Sequence, residues 1–413
     1  MQHIDTLDNG LTVVIEEMPH VESVAYELQI PGGIVCDPED KLGGCLVLAE
    51  LTSRGAGTLS SRSLSEAFEE NGIRHGESCG FDRYLYRGAL FAKNLPQALR
   101  LVSLMVQQPA LPQSEIENIR SVLLQDLSAL NDHPARRAFV ELSSKYYPAP
   151  YSRCGMGSTE GLMAVDSESL RAMWKYQFAP EGAVLSLAGA LKRDDVLKTV
   201  EANFAEWQGR AEKLPPFGKI NRPAAHHIEH DSAQLQIVMA FPSAKFTDPH
   251  YYATKLAAGM LSGGMFGRLF IEVREKRGLC YSVYARHSAT NDYGTMQAYA
   301  GTTPERAHET LQVMLDVFHA LKGSATEEEL ARAKANLKAS LVIGEESSAS
   351  RAASNAGDWW LMKRVRTLDE ILSKIDSISR AEVDAALEAF PARGITLLTL
   401  GSRDLTEVYN DNL

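Results

Sequence analysis

"DSESLRAMWKYQFAPEGAVLSLAGAL" occupies residues 166–191, and "DSISRAEVDAALEAFPARGITLLTLGS" occupies residues 376–402. Both read as a helix, a turn, and a buried strand that ends in glycine. Those glycines, Gly189 and Gly401, stand 212 residues apart. The same offset separates two capping-box patterns, Ser114-x-x-Glu117 and Thr326-x-x-Glu329, each ahead of a long helical run. One offset shared by separate elements is what a tandem duplication leaves. A period this long predicts two similar domains of about 200 residues rather than a solenoid.

The surrounding segments fit that plan. "LTVVIEE" (11–17) and "SVAYELQI" (23–30) are strand-like in their β-branched and aromatic content, and "QLQIVMAFPS" (234–243) is a strand in the second half. A helix starts near Ser63 and stops at Gly72. Strand pairs mixed with long helices predict an α+β fold of two homologous domains, each a mostly antiparallel sheet packed with helices. The stretch 209–227 is rich in Pro, Gly and charge and has no periodicity. It is read as a linker between domains at 1–208 and 228–413.

Bulk composition narrows the function. A chain of 413 residues is long for one core, and 45% hydrophobic with 23% charged residues is ordinary for a globular protein. A net charge of −11 argues against general affinity for nucleic acid or an anionic membrane. No apolar run approaches the ~20 residues that span a bilayer. The start of the chain lacks a basic segment followed by an apolar one, so a cytoplasmic location is expected. Cys36, Cys45, Cys79, Cys154 and Cys280 are odd in number and widely spaced, which predicts reduced thiols.

"GGMFGRLFIEVREKRGLCYSVYA" (263–285) resembles the second domain of M16 zinc peptidases, the relatives of pitrilysin and the mitochondrial processing peptidase. "APYSRCGMGSTEGLMAVDSESLRAMWKYQF" (149–178) resembles their first domain. The resemblance covers nearly the whole chain and implies the M16-type metalloenzyme fold in its two-domain, dimer-forming form. Active members carry an inverted zinc motif, His-x-x-Glu-His, on a first-domain helix. Histidines at i and i+4 share one helix face and grip one ion. The Glu between them is the general base, and a distant Glu is the third ligand.

The corresponding frame lies in "GGCLVLAELTSRGAG" (43–57). The family's motif runs on to a Lys/Arg-Gly pair, here Arg54-Gly55, which places the first His position at Leu46, the base at Ala49 and the second His position at Glu50. The distant Glu position falls 76 residues further on, at Asp126. Leu46 cannot ligate and Ala49 cannot take a proton. Glu50 and Asp126 alone make a poor zinc site, and magnesium or calcium would want more oxygen ligands. His75 and Cys79 are the nearest soft donors in sequence, and a lone His or Cys is more often structural. No metal and no cofactor is expected on this chain, and zinc is expected only in a partner subunit.

One feature of active members is kept. They use an Arg and a Tyr of the second domain, seven residues apart, to hold the peptide and the developing oxyanion. Arg274 and Tyr281 match. The bland reading gives Arg274 an internal ion pair and Tyr281 a strand end. Gly263, Gly264 and Gly267 just upstream suit either close backbone approach or a plain turn. The resemblance therefore implies a non-catalytic M16 subunit, inactive alone. It would pair with an HxxEH-bearing M16 subunit, or with itself, around an extended peptide substrate. The alternative is a non-enzymatic peptide-binding or scaffold dimer of the same fold.

Overall fold

A computed structural model of the chain describes residues 2–210 and 213–408, so residues 211 and 212 of the expected linker lie outside the described residues. The first half runs β1 (Gln2–Thr6), β2 (Thr12–Glu17), β3 (Ser23–Pro31), α1 (Gly44–Thr52), β4 (Arg74–Cys79), β5 (Arg83–Phe91), α2 (Leu95–Gln107), α3 (Gln113–Ala129), α4 (Pro134–Tyr146), α5 (Ser167–Gln177) and β6 (Val184–Gly189). The second half runs β7 (Ala225–Glu229), β8 (Leu235–Ser243), α6 (Tyr251–Ser262), β9 (Cys280–Ala289), β10 (Gly294–Thr302), α7 (Ala307–Leu321), α8 (Glu327–Glu345), α9 (Ser348–Met362), α10 (Arg380–Ala389) and β11 (Thr396–Gly401). Strand β3 recurs as β8, and β6 as β11, each shifted by 212 residues.

The sheets repeat as well. The first has the order β1-β2-β6-β3-β5-β4, and the second the order β9-β10-β8-β11-β7. In both, a central strand pairs antiparallel on each side, and one parallel pair, β2 with β6 or β7 with β11, lies toward the far edge. The expected two homologous α+β domains are therefore present.

By compactness the chain divides into two units: Met1–Ala129, Arg153–Pro216 and Gly344–Val365 form one, and Leu130–Ser152, Phe217–Ile343 and Arg366–Leu413 form the other. The crossing between Pro216 and Phe217 lies inside the stretch read as a linker. The units are not the continuous halves 1–208 and 228–413, because one helix from each half is exchanged. In the first unit α9 lies on β3 and β6, with Ala352 and Ala356 against Ala25, Ala188, Val14 and Val184. In the second unit α4 lies on β8 and β11, with Ala138, Leu142 and Tyr146 against Val238, Ala240 and Leu398. Each sheet thus has both faces covered. That is why β3 and β8 are buried almost without alternation, which a strand with one wet face would show.

The two capping boxes differ. Thr326 and Glu329 exchange their hydrogen bonds as expected, with the Glu329 amide donating to Thr326 Oγ1 at 3.2 Å and the Thr326 amide to Glu329 Oε2 at 2.8 Å. In the first half α3 begins at Gln113, so Ser114 sits inside the first turn rather than at the cap. The Glu115 amide donates to the Pro112 carbonyl at 3.1 Å, so the helix starts two residues ahead of where a cap at Ser114 would put it.

Candidate functional site

Helix α1 carries the expected motif positions. Gly43 precedes it with φ of 103°, a left-handed conformation that suits glycine. No side chain at the cap itself serves the helix. Instead the buried Asp37 accepts the amides of Gly43 and Cys45, both at 2.8 Å. Asp37→Ala would leave those two amides unpaired in the interior. We expect it to lower stability by about 2–3 kcal/mol in urea denaturation, whereas Asp37→Asn, which keeps one acceptor, would lose less. A loss under about 0.5 kcal/mol would show that the carboxylate is not what starts the helix.

Ala49 is buried, and Leu46 and Glu50 are partly buried. Glu50 is not vacant: Arg54, one turn on, approaches its Oε2 at 3.5 Å. The helix packs against edge strand β4, which brings Glu77 into the same neighbourhood. Burial raises the Glu50 carboxyl above its ordinary range, the Glu77 charge adds to the rise, and Arg54 opposes it. Glu77 is pushed up by its own burial, against a Ser53 hydrogen bond and the Arg54 charge. The Arg54 Nε is buried and has no hydrogen-bond partner among the described residues.

Two carboxylates, Glu50 and Glu77, and the Arg54 guanidinium are therefore neighbours at this helix. The zinc implied by the fold family does not fit these residues. Leu46 and Ala49 offer no donor, Glu50 pairs with Arg54, and Asp126 is exposed on α3. Among the described residues no three of His, Cys, Asp and Glu stand together in a way that could hold a metal ion. His75 stacks on Phe68, with ring centroids 3.8 Å apart, and Cys79 donates its thiol to the Gly80 carbonyl at 3.4 Å. Both are thus placed as side chains of the fold. Arg54 and Glu77 were missed as site residues in the sequence. The i, i+4 spacing of Glu50 and Arg54 on a helix was the available signal for the first. Nothing local marked the second.

Arg274 and Tyr281 lie in the second unit, on either side of a sharp reversal. Residues Phe270–Glu275 form a π-helix, a form that recurs at functional sites. Its wider turn puts Phe270 and Arg274 on one face, with the guanidinium carbon 4.9 Å from the Phe270 ring centroid. Gly278, at φ 61°, reverses the chain, and its carbonyl accepts from Arg306 at 2.6 Å. Strand β9 then begins with a bulge: Cys280 pairs with Thr302 and Ser282 with Gly301, so Tyr281 is the extra residue. A bulge re-aims the side chain it carries. The Tyr281 side chain is 76% exposed, with the Arg274 guanidinium 4.7 Å from its ring. Among the described residues Arg274 makes no ion pair and the Tyr281 hydroxyl has no hydrogen-bond partner, although Tyr281 does stand at a strand end, as the bland reading has it. Gly263 ends α6, and Gly264 takes φ of 89° in the turn that follows, with open space where a side chain would be.

Two edge strands lie beside these positions. Strand β4 ends the first sheet beside α1, and β9 ends the second sheet at Tyr281. Outer edges of this kind present backbone donors and acceptors for an added strand. Among the described residues no helix is long and apolar enough to cross a membrane.

Two family models match: "Insulinase (Peptidase family M16)" over residues 12–155 and "Peptidase M16 inactive domain" over residues 164–337. Together they span most of the chain, and the protein belongs to the M16 peptidase family. An uncharacterized zinc protease of Rickettsia felis is 24% identical over 406 residues, covering 98% of each chain. The crystal structure of a peptidase M16 inactive domain from Pseudomonas fluorescens shares the fold, with a TM-score of 0.89, 23% identity and 98% of each chain covered. A chain of Complex III2 from Candida albicans does so with a TM-score of 0.84 and 19% identity, covering 99% of this chain and 98% of that one.

Proposed function

We propose that this protein is a non-catalytic M16 subunit that pairs with a zinc-bearing M16 subunit and helps hold peptide for hydrolysis there. The observation that carries the reading is the contrast between its two candidate sites. At the motif helix the positions read as the zinc motif carry Leu46, Ala49 and Glu50, and Arg54 pairs with Glu50. At the π-turn the Arg274 guanidinium stacks on the exposed Tyr281 ring, and the polar groups of the two are otherwise left for another molecule. A guanidinium and a phenol presented this way suit a peptide carbonyl and the charge that develops on it. The edge strands β4 and β9 support an extended peptide as the ligand, bound by strand addition.

The test uses the chain alone and mixed with an HxxEH-bearing M16 protein from the same organism. Alone, it is expected to hold no stoichiometric zinc by elemental analysis and to cleave no peptide. Mixed, the two are expected to co-elute on size exclusion and to cleave faster than the partner by itself. About one tightly bound zinc per chain, or independent elution at micromolar concentration, would overturn the reading.

A further inference from the structure

The second unit holds a cavity of about 560 Å³ that involves neither Arg274 nor Tyr281. It lies among β8, β10, α6, α7 and α10, and its size is within the range of small-molecule sites. The deep wall is apolar, formed by Phe241, Leu261, Met296 and Phe318, all buried. Two hydroxyl residues interrupt it: Ser243 and Thr254 are only 6% and 5% exposed. Neither hydroxyl has a hydrogen-bond partner among the described residues. Unpaired buried hydroxyls are uncommon and costly, so two on one cavity wall call for an explanation.

The mouth has a different chemistry. His319, Lys322 and Arg393 are exposed there, with Glu388 as the acidic residue among the lining. Lys322, half exposed, meets Glu388 at 3.6 Å, which leaves the rim basic on a chain whose net charge is −11. Burial thus separates a cationic, exposed rim from a buried wall in which two unpaired hydroxyls stand among aromatic and aliphatic side chains.

We propose that this cavity binds a small amphipathic hydroxy-carboxylate. Its carboxylate meets Lys322 and Arg393, its apolar body lies along Phe241, Met296 and Phe318, and its hydroxyl reaches Ser243 and Thr254. Each end recognises a separate group, so the affinity depends on both. The inference is independent of the peptide-holding role, because the two involve different residues.

Titration calorimetry of the full chain with 10-hydroxydecanoate tests it, with decanoate and 1,10-decanediol as ligands lacking one polar end. 10-Hydroxydecanoate is expected to bind at least tenfold tighter than either. Lys322→Glu combined with Arg393→Glu, both at the surface, is expected to weaken it at least tenfold without moving the melting temperature. Ser243→Ala is expected to reduce its advantage over decanoate. No binding of 10-hydroxydecanoate at millimolar concentration, equal affinity for decanoate, or unchanged affinity in the charge-reversed rim variant would each overturn the proposal. The rim variant decides the matter even if Ser243→Ala disturbs the fold.

Discussion

Tyr281→Phe is expected to lower kcat of the mixed complex by about 10²–10³, the usual consequence of losing one oxyanion donor. The substitution removes only a hydroxyl that has no partner within the described chain. The ring stays, and so does its stacking with the Arg274 guanidinium at 4.7 Å. Folding and association should therefore be unchanged, and the melting temperature should move by less than a degree or two. Arg274→Ala is expected to act on KM as well, because a guanidinium also holds substrate carbonyls before reaction. It should destabilise slightly, since it strips a cation from two rings, Phe270 and Tyr281. The deciding measurement is kcat of the complex set beside its melting temperature. Full activity in Tyr281→Phe would remove the assisting role and leave a scaffold of the same fold as the better reading.

Arg351→Ala is expected to destabilise the first unit by about 3–5 kcal/mol, the cost of leaving buried carboxylates without their partner. Arg351 sits on α9 with its side chain 6% exposed. It donates twice to Glu16 Oε2, at 2.6 and 2.9 Å, pairs with Glu345, and meets Asn355 Oδ1 at 3.1 Å. Asn355 donates to the same Glu16 oxygen at 2.7 Å. Burial alone would raise the Glu16 carboxyl, but the hydrogen bonds from Arg351 and Asn355 and the Arg351 charge outweigh it and hold the group below its ordinary 4.5.

A depressed carboxylate stabilises the fold above its unfolded value, and that contribution is lost as pH falls through the lower folded value. Stability of the native chain should therefore drop below about pH 4.5, with Glu16 contributing to the drop. The Glu16→Gln variant should be less stable at neutral pH and show a shallower decline in acid. Urea denaturation across pH 3–7 measures both. Arg351→Ala with Glu16→Gln and Glu345→Gln should recover part of the single-variant loss, because no buried charge then stands alone. A loss under about 1 kcal/mol in Arg351→Ala would show that the network does not anchor the helix.

Much of the architecture was legible because a duplication writes itself twice. The offset between Gly189 and Gly401 is the offset between β6 and β11, and it also relates β3 to β8. The exchange of α4 and α9 was not legible. Each shows a helix-spaced apolar face, such as Ala138, Leu142 and Tyr146 on α4, but such a face does not say which of two similar sheets it will cover. The replaced motif could be located from side-chain chemistry alone, since Leu46 and Ala49 carry no donor. What Arg54 does there could not, because its role depends on Glu77, which arrives from a strand more than twenty residues away. The free state of Arg274 and Tyr281 rests on a π-turn and a bulge. These are hydrogen-bond shifts with no residue signature beyond Gly278.

The exchanged helices also bear on what can be cut from the chain. Each sheet is roofed by a helix from the other half, the arrangement an exchanged homodimer would have if its subunits were joined. Once joined, neither copy can be discarded. Deleting 217–413 would remove α9 from the sheet it covers, and deleting 1–216 would remove α4 from the other. The reciprocal roofing by a single helix ties the folding of each half to the presence of the other.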